Sequence, residues 1–396
     1  MKVTVVASEF PFPPRHGGQV DMWRRICALS DRGIKLQLVA WHAESAVAAD
    51  LEREAARYVA SLVLLKKRSG MLGGAARLLL TTRYPSQVAA RFVSKRRRAS
   101  IASEVARFQP EVIVVDGLFA WQLGYGLASD LGVPPVLRSH NIEHRYIPAL
   151  RRKARGVREK IGFLLAGMHL ARFETDAITR CTRFYDISLD DLSYWRSRGN
   201  RHGEWLPPFC GPWFDTKSDR IGFEIGFLGN LYTPNNVDGL IWLVSEVLPR
   251  LGTGRRLLIA GSNPSTKLRK AIDKQPCVEL WENPERSADV YSRCSVLVNP
   301  VLAGSGVNLK ALEMLQTDRP IVSTLQGLAG LPDDVRALFL AADSPERFAT
   351  AIERALVTGA ADASARHAVV NKWFGDAAVN TFVDSLTALA AEGRRP

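Results

Sequence analysis

Short apolar runs of strand length alternate with longer segments of helical period along almost the whole chain, and that alternation leaves few folds open. KVTVVAS (2–8), KLQLVAW (35–41), SLVLLK (61–66), VIVVDG (112–117), PVLRSH (135–140) and RFYDIS (183–188) form a first series. Near-continuous apolar runs of this kind suit strands covered on both faces, in a parallel sheet whose crossovers are helices. WLPPFCGPWFD (205–215) then interrupts regular structure with three prolines and a glycine. A second series follows, with IGFLGN (225–230), LLIAGS (257–262), VEL (278–280), VLVNP (296–300) and PIVST (320–324), and a last helix runs from about Asp376 to Ala391. The expected fold is α/β, two Rossmann-like doubly wound parallel-sheet domains facing a cleft. Residues 1–208 form the first domain and 209–375 the second, and the helix in 376–396 packs back on the first. The 205–215 joint serves as a hinge, with ligand between the domains beyond the carboxyl ends of the strands.

A chain of 396 residues suits two domains, and 46% hydrophobic with 23% charged residues is a globular composition. No apolar run reaches eighteen residues, and MKVTVVAS enters a strand pattern without a leader-like segment. Five scattered cysteines argue against a disulfide framework and for a reducing, cytoplasmic location. The net charge of +13 is uneven. Residues 1–210 hold 33 Lys/Arg against 19 Asp/Glu (+14), and residues 211–396 hold 20 against 21 (−1). The halves therefore face different partners.

Strand ends in such sheets aim backbone N–H groups outward, where glycine lets an anion approach. VNPVLAGSGVNLKALEML (298–315) has that form. A helix expected from near Val307 places Gly304, Ser305, Gly306, Val307 and Asn308 at a phosphate. Lys310 reaches the same phosphates, and Glu313 on the same face accepts ribose hydroxyls. The same residues also fit a plain glycine-rich loop with a solvated lysine–glutamate pair. Two further loops repeat the arrangement, with Gly17-Gly18 ahead of a helix in SEFPFPPRHGGQVD and Gly229-Asn230 ending the strand in GFLGNLYTPNN. Neither is a G-x-G-x-x-G nor a G-x-x-x-x-G-K-[ST] motif. RSHNIEHRY places His140 at a strand's carboxyl end, where a histidine is well placed to meet ligand, with Glu143 and His144 just beyond.

These four loops, in order, resemble the GT-B-fold glycosyltransferases of the retaining family 4, glycogen-synthase-like group, over nearly the full length and most closely from about Glu224 to Leu331. The resemblance implies transfer of a hexose from a nucleotide-diphosphate sugar to an acceptor hydroxyl, with retention and without a cofactor, residues 1–208 being the acceptor domain and 209–375 the nucleotide-sugar donor domain. Glu313 matches the second glutamate of that family's Glu-x7-Glu motif, and Ser305 stands where the first would be. The basic pair usual after the second domain's first strand is missing, which leaves Lys310 as the pyrophosphate cation. His140 corresponds to the histidine beside the donor sugar. His140 and Lys310 are thus the candidate catalytic residues. No Asp-x-Asp stands at a strand end, so a metal-independent site is expected.

Lys66-Lys67-Arg68, Lys95-Arg96-Arg97-Arg98 and RRKARGVREKIGFLLAGMHLARF (151–173) concentrate the basic charge. The last is basic first and apolar after. Arg151, Arg152, Lys153 and Arg155 are the expected contacts to an anionic lipid surface or a lipid-linked or oligosaccharide acceptor, in cell-surface polysaccharide or glycolipid assembly on the inner face of the membrane. A solvated basic face packed on the sheet by its apolar stripe is the alternative. Two rival functions stay open. A sugar-nucleotide epimerase would need carboxylates in the cleft, where Ser305 offers one fewer. A non-catalytic binding protein holding nucleic acid would need aromatics or a reader motif among the basic clusters, and they lack both; no nucleic-acid partner is expected.

Overall fold

The computed structural model describes residues 1–14, 16–42, 49–67, 78–154, 156–214, 222–304, 306–359 and 362–393. It divides into two compact units. The first comprises Met1–Phe209 with Ala378–Pro396, the second Cys210–Ala377.

The first unit holds a seven-stranded sheet in the order β3-β2-β1-β4-β5-β6-β7. Its strands are β1 (Lys2–Ala7), β2 (Lys35–His42), β3 (Ser61–Lys66), β4 (Val112–Asp116), β5 (Pro135–Ser139), β6 (Arg183–Asp186) and β7 (Gly203–Trp205). Every pairing is parallel. The continuous apolar runs are explained by burial on both faces. Val112 and Val114 of β4 enter one core cluster, while Ile113 and Val115 enter the opposite one, as the two-residue period of a strand requires. The helix Asp376–Glu392 adds Val379, Phe382, Leu386 and Leu389 to the cluster that holds Val3 and Val5 of β1.

The second unit repeats the plan with six parallel strands in the order β10-β9-β8-β11-β12-β13. These are β8 (Phe223–Asn230), β9 (Leu257–Ser262), β10 (Val278–Glu282), β11 (Cys294–Asn299), β12 (Ile321–Ser323) and β13 (Leu340–Ala341). In both sheets the strand order reverses beside the first strand of the unit, the place where doubly wound sheets open a crevice. Sequence periodicity missed β7 and β13, which are three and two residues long. Trp205, the first residue of the expected 205–215 joint, ends β7, and residue 215 lies outside the described residues.

The helix Pro234–Trp242 is seated at the end of β11 by a glycine. A Cβ on Gly239 would lie 1.8 Å from the Pro300 carbonyl oxygen, so no other residue lets the helix backbone approach so closely. Gly239→Ala is expected to lower stability by about 3 kcal/mol, the upper end of overpacking costs, despite the ~1 kcal/mol by which Ala exceeds Gly in helix propensity. Guanidinium denaturation measures it; a loss under about 1 kcal/mol would mean the helix can slide off the strand end.

Candidate functional site

In the second unit the site is organised around Lys310. Strand β8 carries Phe227 and Gly229 to the crevice, and the Lys310 ammonium sits 4.6 Å over the Phe227 ring. It donates to Asn236 Oδ1 at 2.7 Å. Gly229 makes room, since a Cβ there would lie 2.9 Å from Lys310 Cδ. Burial pushes the Lys310 amine down to about 7, against a weaker opposing pull from Glu313. Among the described residues the amine has a ring face and a neutral amide for partners and no carboxylate at salt-bridge distance.

The surrounding loops differ from the sequence expectation in three respects. The helix after Gly304–Gly306 starts at Leu309, not near Val307, and spans only Leu309–Leu315. Asn308 caps it, its Oδ1 accepting from Lys310 N at 3.1 Å, while its Nδ2 donates to Asn299 Oδ1 at 3.3 Å. The Asn308 side chain is thus committed to the loop, as is that of Asn230, whose Oδ1 accepts from Tyr232 N (2.9 Å) and Thr233 N (3.2 Å). Asn236 Nδ2 in turn donates to the Asn230 carbonyl at 2.8 Å. The left-handed φ of 69° at Gly306 requires glycine. Gly304 is exposed, and Val307 and Glu313 are half-buried; Ser305 lies outside the described residues.

In the first unit Gly17 and Gly18 are the opening residues of the helix Gly17–Asp31, not of a loop before it. That helix projects Asp21 and Arg25 under the carboxyl ends of β4 and β5. Arg25 Nη1 donates to Asp21 Oδ2 at 2.8 Å, and its Nη2 donates to Asp116 at the end of β4. Arg138 of β5 reaches Asp21 at 3.3 Å and donates to the Leu206 carbonyl. All four side chains are buried. Burial alone would raise the carboxyls, but Arg25 outweighs it, with Arg138 and His140 at Asp21 and with His140 at Asp116, and both lie below the ordinary range. His140 crowns this network. Its Nε2 lies 2.8 Å from Asp116 Oδ1 and its Nδ1 3.8 Å from Asp21 Oδ2, with the side chain 19% exposed.

His140 opens into a cleft of about 330 Å³, which Ser8, Gly18, Arg91, Ser139 and Glu143 also line. The helix Glu143–Lys153 starts at its rim. Glu174 caps it, accepting from Glu143 N (2.8 Å) and His144 N (2.9 Å). His144 Nδ1 lies 2.6 Å from Glu174 and its Nε2 2.9 Å from Tyr194 Oη, so this histidine holds structure. Arg151 and Arg152 are exposed on the same helix. Lys153 closes the helix, and Arg155 lies outside the described residues.

The structure thus gathers Gly229, Lys310 and Asn236 in the second unit, and Gly18 and His140 in the first. Sequence reasoning missed Asn236, Phe227, Asn299 and Asp116. Asp116 alone carried a signal, an acid at the carboxyl end of an apolar strand. Among the described residues no group of three or more His, Cys, Asp or Glu is placed to hold a metal.

Residues 222–357 match the family Glycosyl transferases group 1. Over 345 residues the chain is 27% identical to an uncharacterised 44.6 kDa protein in the cps region of Klebsiella pneumoniae, covering 83% of this chain and 84% of that one. Its fold is similar to a crystal structure of Anabaena HepE in complex with UDP (TM-score 0.66, 12% identity, 98% of this chain and 100% of that one). It is likewise similar to sucrose-phosphate synthase from Thermosynechococcus elongatus (TM-score 0.66, 14% identity, 99% and 100%). The two-unit parallel α/β architecture is the GT-B fold of these structures. The second unit carries a glycosyl transferases group 1 domain, and the protein is a glycosyltransferase.

Asp116→Asn leaves Arg25 buried beside a neutral amide. It is expected to cost about 3–5 kcal/mol in guanidinium denaturation, the penalty for breaking a buried pair, whereas His140→Ala, at the cleft surface, should cost far less. Similar losses for the two would show that the histidine is part of the structural core.

Proposed function

We propose that the protein transfers a hexose from a nucleotide-diphosphate sugar to an acceptor hydroxyl, with retention and without a divalent metal or other cofactor. The observation that carries this reading is Lys310, a half-buried amine with no salt-bridge partner among the described residues, within a matched glycosyltransferase region. A diphosphate leaving group gathers charge as its bond to the sugar breaks, and a cation fixed beside it stabilises that charge. Glu313, three residues on, is the proposed ribose ligand, and Gly304, Gly306 and Gly229 give the phosphates and sugar access to backbone. His140 is the proposed contact to the donor sugar from the first unit. Solved proteins of similar fold hold UDP and, in a second HepE crystal (TM-score 0.62), UDP-glucose, which supports a nucleotide-sugar here.

Binding of nucleoside diphosphates and their sugars, followed by thermal shift, tests the reading; a ligand at a hundred times its Kd adds about 2.7 kcal/mol. Because the free Lys310 amine is neutral above about 7 and the diphosphate needs it charged, binding takes up a proton. Affinity should fall as pH rises from 7 to 9, by up to about tenfold per unit. Lys310→Met should bind weakly and with little dependence on pH. Unchanged affinity in that variant would remove Lys310 from the site.

We further propose a role in cell-surface polysaccharide or glycolipid assembly at the inner face of the membrane, in keeping with the relative's place in a cps region. The helix Val157–Gly167 has no buried residue. Val157 (74% exposed), Ile161, Leu164, Leu165 and Met168 recur at helical spacing as an exposed apolar stripe, and Arg151, Arg152, Arg158 and Lys160 around it are exposed. An anionic lipid surface complements both features. Phe163 is half-buried and contributes less than its neighbours. Among the described residues no helix is long and apolar enough to cross a membrane, so the association is peripheral. Each basic residue near such a surface is worth ~1 kcal/mol. The protein should co-sediment with phosphatidylglycerol vesicles at low salt, far less with phosphatidylcholine, and be released as salt rises. Ile161→Ser with Leu164→Ser should abolish binding while nucleotide affinity is kept. A wild-type protein that ignores anionic vesicles at low salt would reduce the stripe to a surface irregularity.

A further inference from the structure

Asn236 and Phe227 hold the Lys310 amine, but the backbone that carries it is fixed from elsewhere. The helix Leu309–Leu315 has only seven residues, too few for its own hydrogen bonds to fix where it starts. Beneath that start lies Asn299, the last residue of β11 and fully buried. Asn299 Oδ1 accepts from Asn308 Nδ2 at 3.3 Å, which leaves the Asn308 Oδ1 turned to the Lys310 N–H at 3.1 Å. On its other side Asn299 Nδ2 donates to Ser323 Oγ at 3.2 Å and to the Gly327 carbonyl at 3.3 Å. The Asn299 carbonyl accepts from Val301 N (3.0 Å) and Thr324 N (3.3 Å).

One side-chain amide therefore joins the end of β11, the loop into the Lys310 helix and the turn after β12. The fit is close. A Cβ on Gly327 would lie 2.5 Å from both Asn299 Nδ2 and Ser323 Oγ, so the turn can present its carbonyl to the amide only with glycine there. Ser323 and Thr324 are buried beside it, and Thr324 Oγ1 donates to the Val301 carbonyl. Both N–H groups of Asn299 are committed, and a polar group satisfied in this way has a single orientation. An apolar residue of the same shape would serve stability nearly as well. What the amide adds is a direction for Asn308.

We propose that Asn299 is a positioning residue for the diphosphate contact, acting through Asn308 to set where the Lys310 amine stands. It has no exposed surface, so it meets no ligand itself. The inference rests on the transfer reading for the role of Lys310. The competing account is packing alone, in which Asn299 ties two loops together and its loss weakens binding in the same proportion whether or not Lys310 is present.

The test is a double-mutant cycle on the full chain, with UDP, GDP and ADP as probes and ligand-observed NMR as the readout, using the nucleotide that the wild type binds most tightly. Asn299→Ala should weaken binding by about tenfold, the lower end of what loss of an outer partner of a ligating group costs at metal sites. In a Lys310→Met background the same change should cost less than about threefold, because coupled residues do not add. Asn308→Ser covers the case in which Asn299→Ala does not fold. Serine caps a helix about as well as asparagine but is too short to reach Asn299, so it should show the same loss and the same dependence on Lys310. Equal losses in the two backgrounds for either folded variant, or full affinity in Asn308→Ser while Lys310→Met binds weakly, would overturn the proposal and leave the transfer reading standing. Full affinity in Lys310→Met, or a wild type that binds none of the three nucleotides, would overturn the transfer reading and this inference with it.

Discussion

Asp21, Arg25, Asp116 and Arg138 place two carboxylates and two guanidiniums under the strand ends of the first unit, away from water. Each charge is expensive to desolvate, and a buried ion pair commonly adds less stability than apolar residues of the same volume. What the network supplies is position. Arg25 bridges the first helix to β4, Arg138 bridges β5 to the segment after β7, and Asp116 presents an oxygen to His140. Two strands, a helix and the segment after β7 are thereby registered at the face of the sheet where the cleft opens. Gly117, with a left-handed φ of 85°, turns the chain just after β4.

The second unit solves the same problem with the opposite balance. Its half-buried cation, Lys310, has an amide and an aromatic face for partners and, among the described residues, no carboxylate at hydrogen-bond distance. A paired cation must be released before it can hold a new anion, whereas an unpaired one gains its counter-charge from the ligand. The depressed basicity of Lys310 is the consequence of that openness. It follows from burial, with Glu313 too weakly coupled to reverse it. Charge closed on itself builds a frame, and charge left open is what the proposed diphosphate contact draws on.

The α/β class was legible because the strands of parallel sheets are continuous apolar runs, and VIVVD or LLIAGS carries that signal in a few residues. β7 (GEW) and β13 (LA) were not, because two or three residues cannot show a period. At the site, glycines and the lone lysine stood out by type, and Lys310 was named before its surroundings were known. Its partners were invisible for a physical reason. Asn236 and Phe227 act only through distance to Lys310, across 74 and 83 positions of chain, and a neutral amide has no pattern that marks it as a lysine ligand. The helix start was misplaced by two residues because Asn308 reads as a helix residue until its side chain is seen to bond Lys310 N. Asn230 and Asn308, expected as donor contacts, also shape their loops through Oδ1, as asparagine at loop–helix junctions often does.

The basic excess of the first half can now be located. The four buried charges around His140 cancel in pairs, so the surplus lies at the surface, on Lys95 to Arg97 and on Arg151, Arg152, Arg158 and Lys160, all exposed. Attraction from such residues is screened within about 8 Å at physiological salt, so it acts on whatever approaches that surface and decays before it reaches buried groups. Glu143 is governed by its burial first and then by its near neighbours Glu174 and Asp191, all of which push its carboxyl up. Long-range charge and the exposed apolar stripe thus belong to the surface, whereas the cleft offers hydrogen-bonding groups that act only at short range.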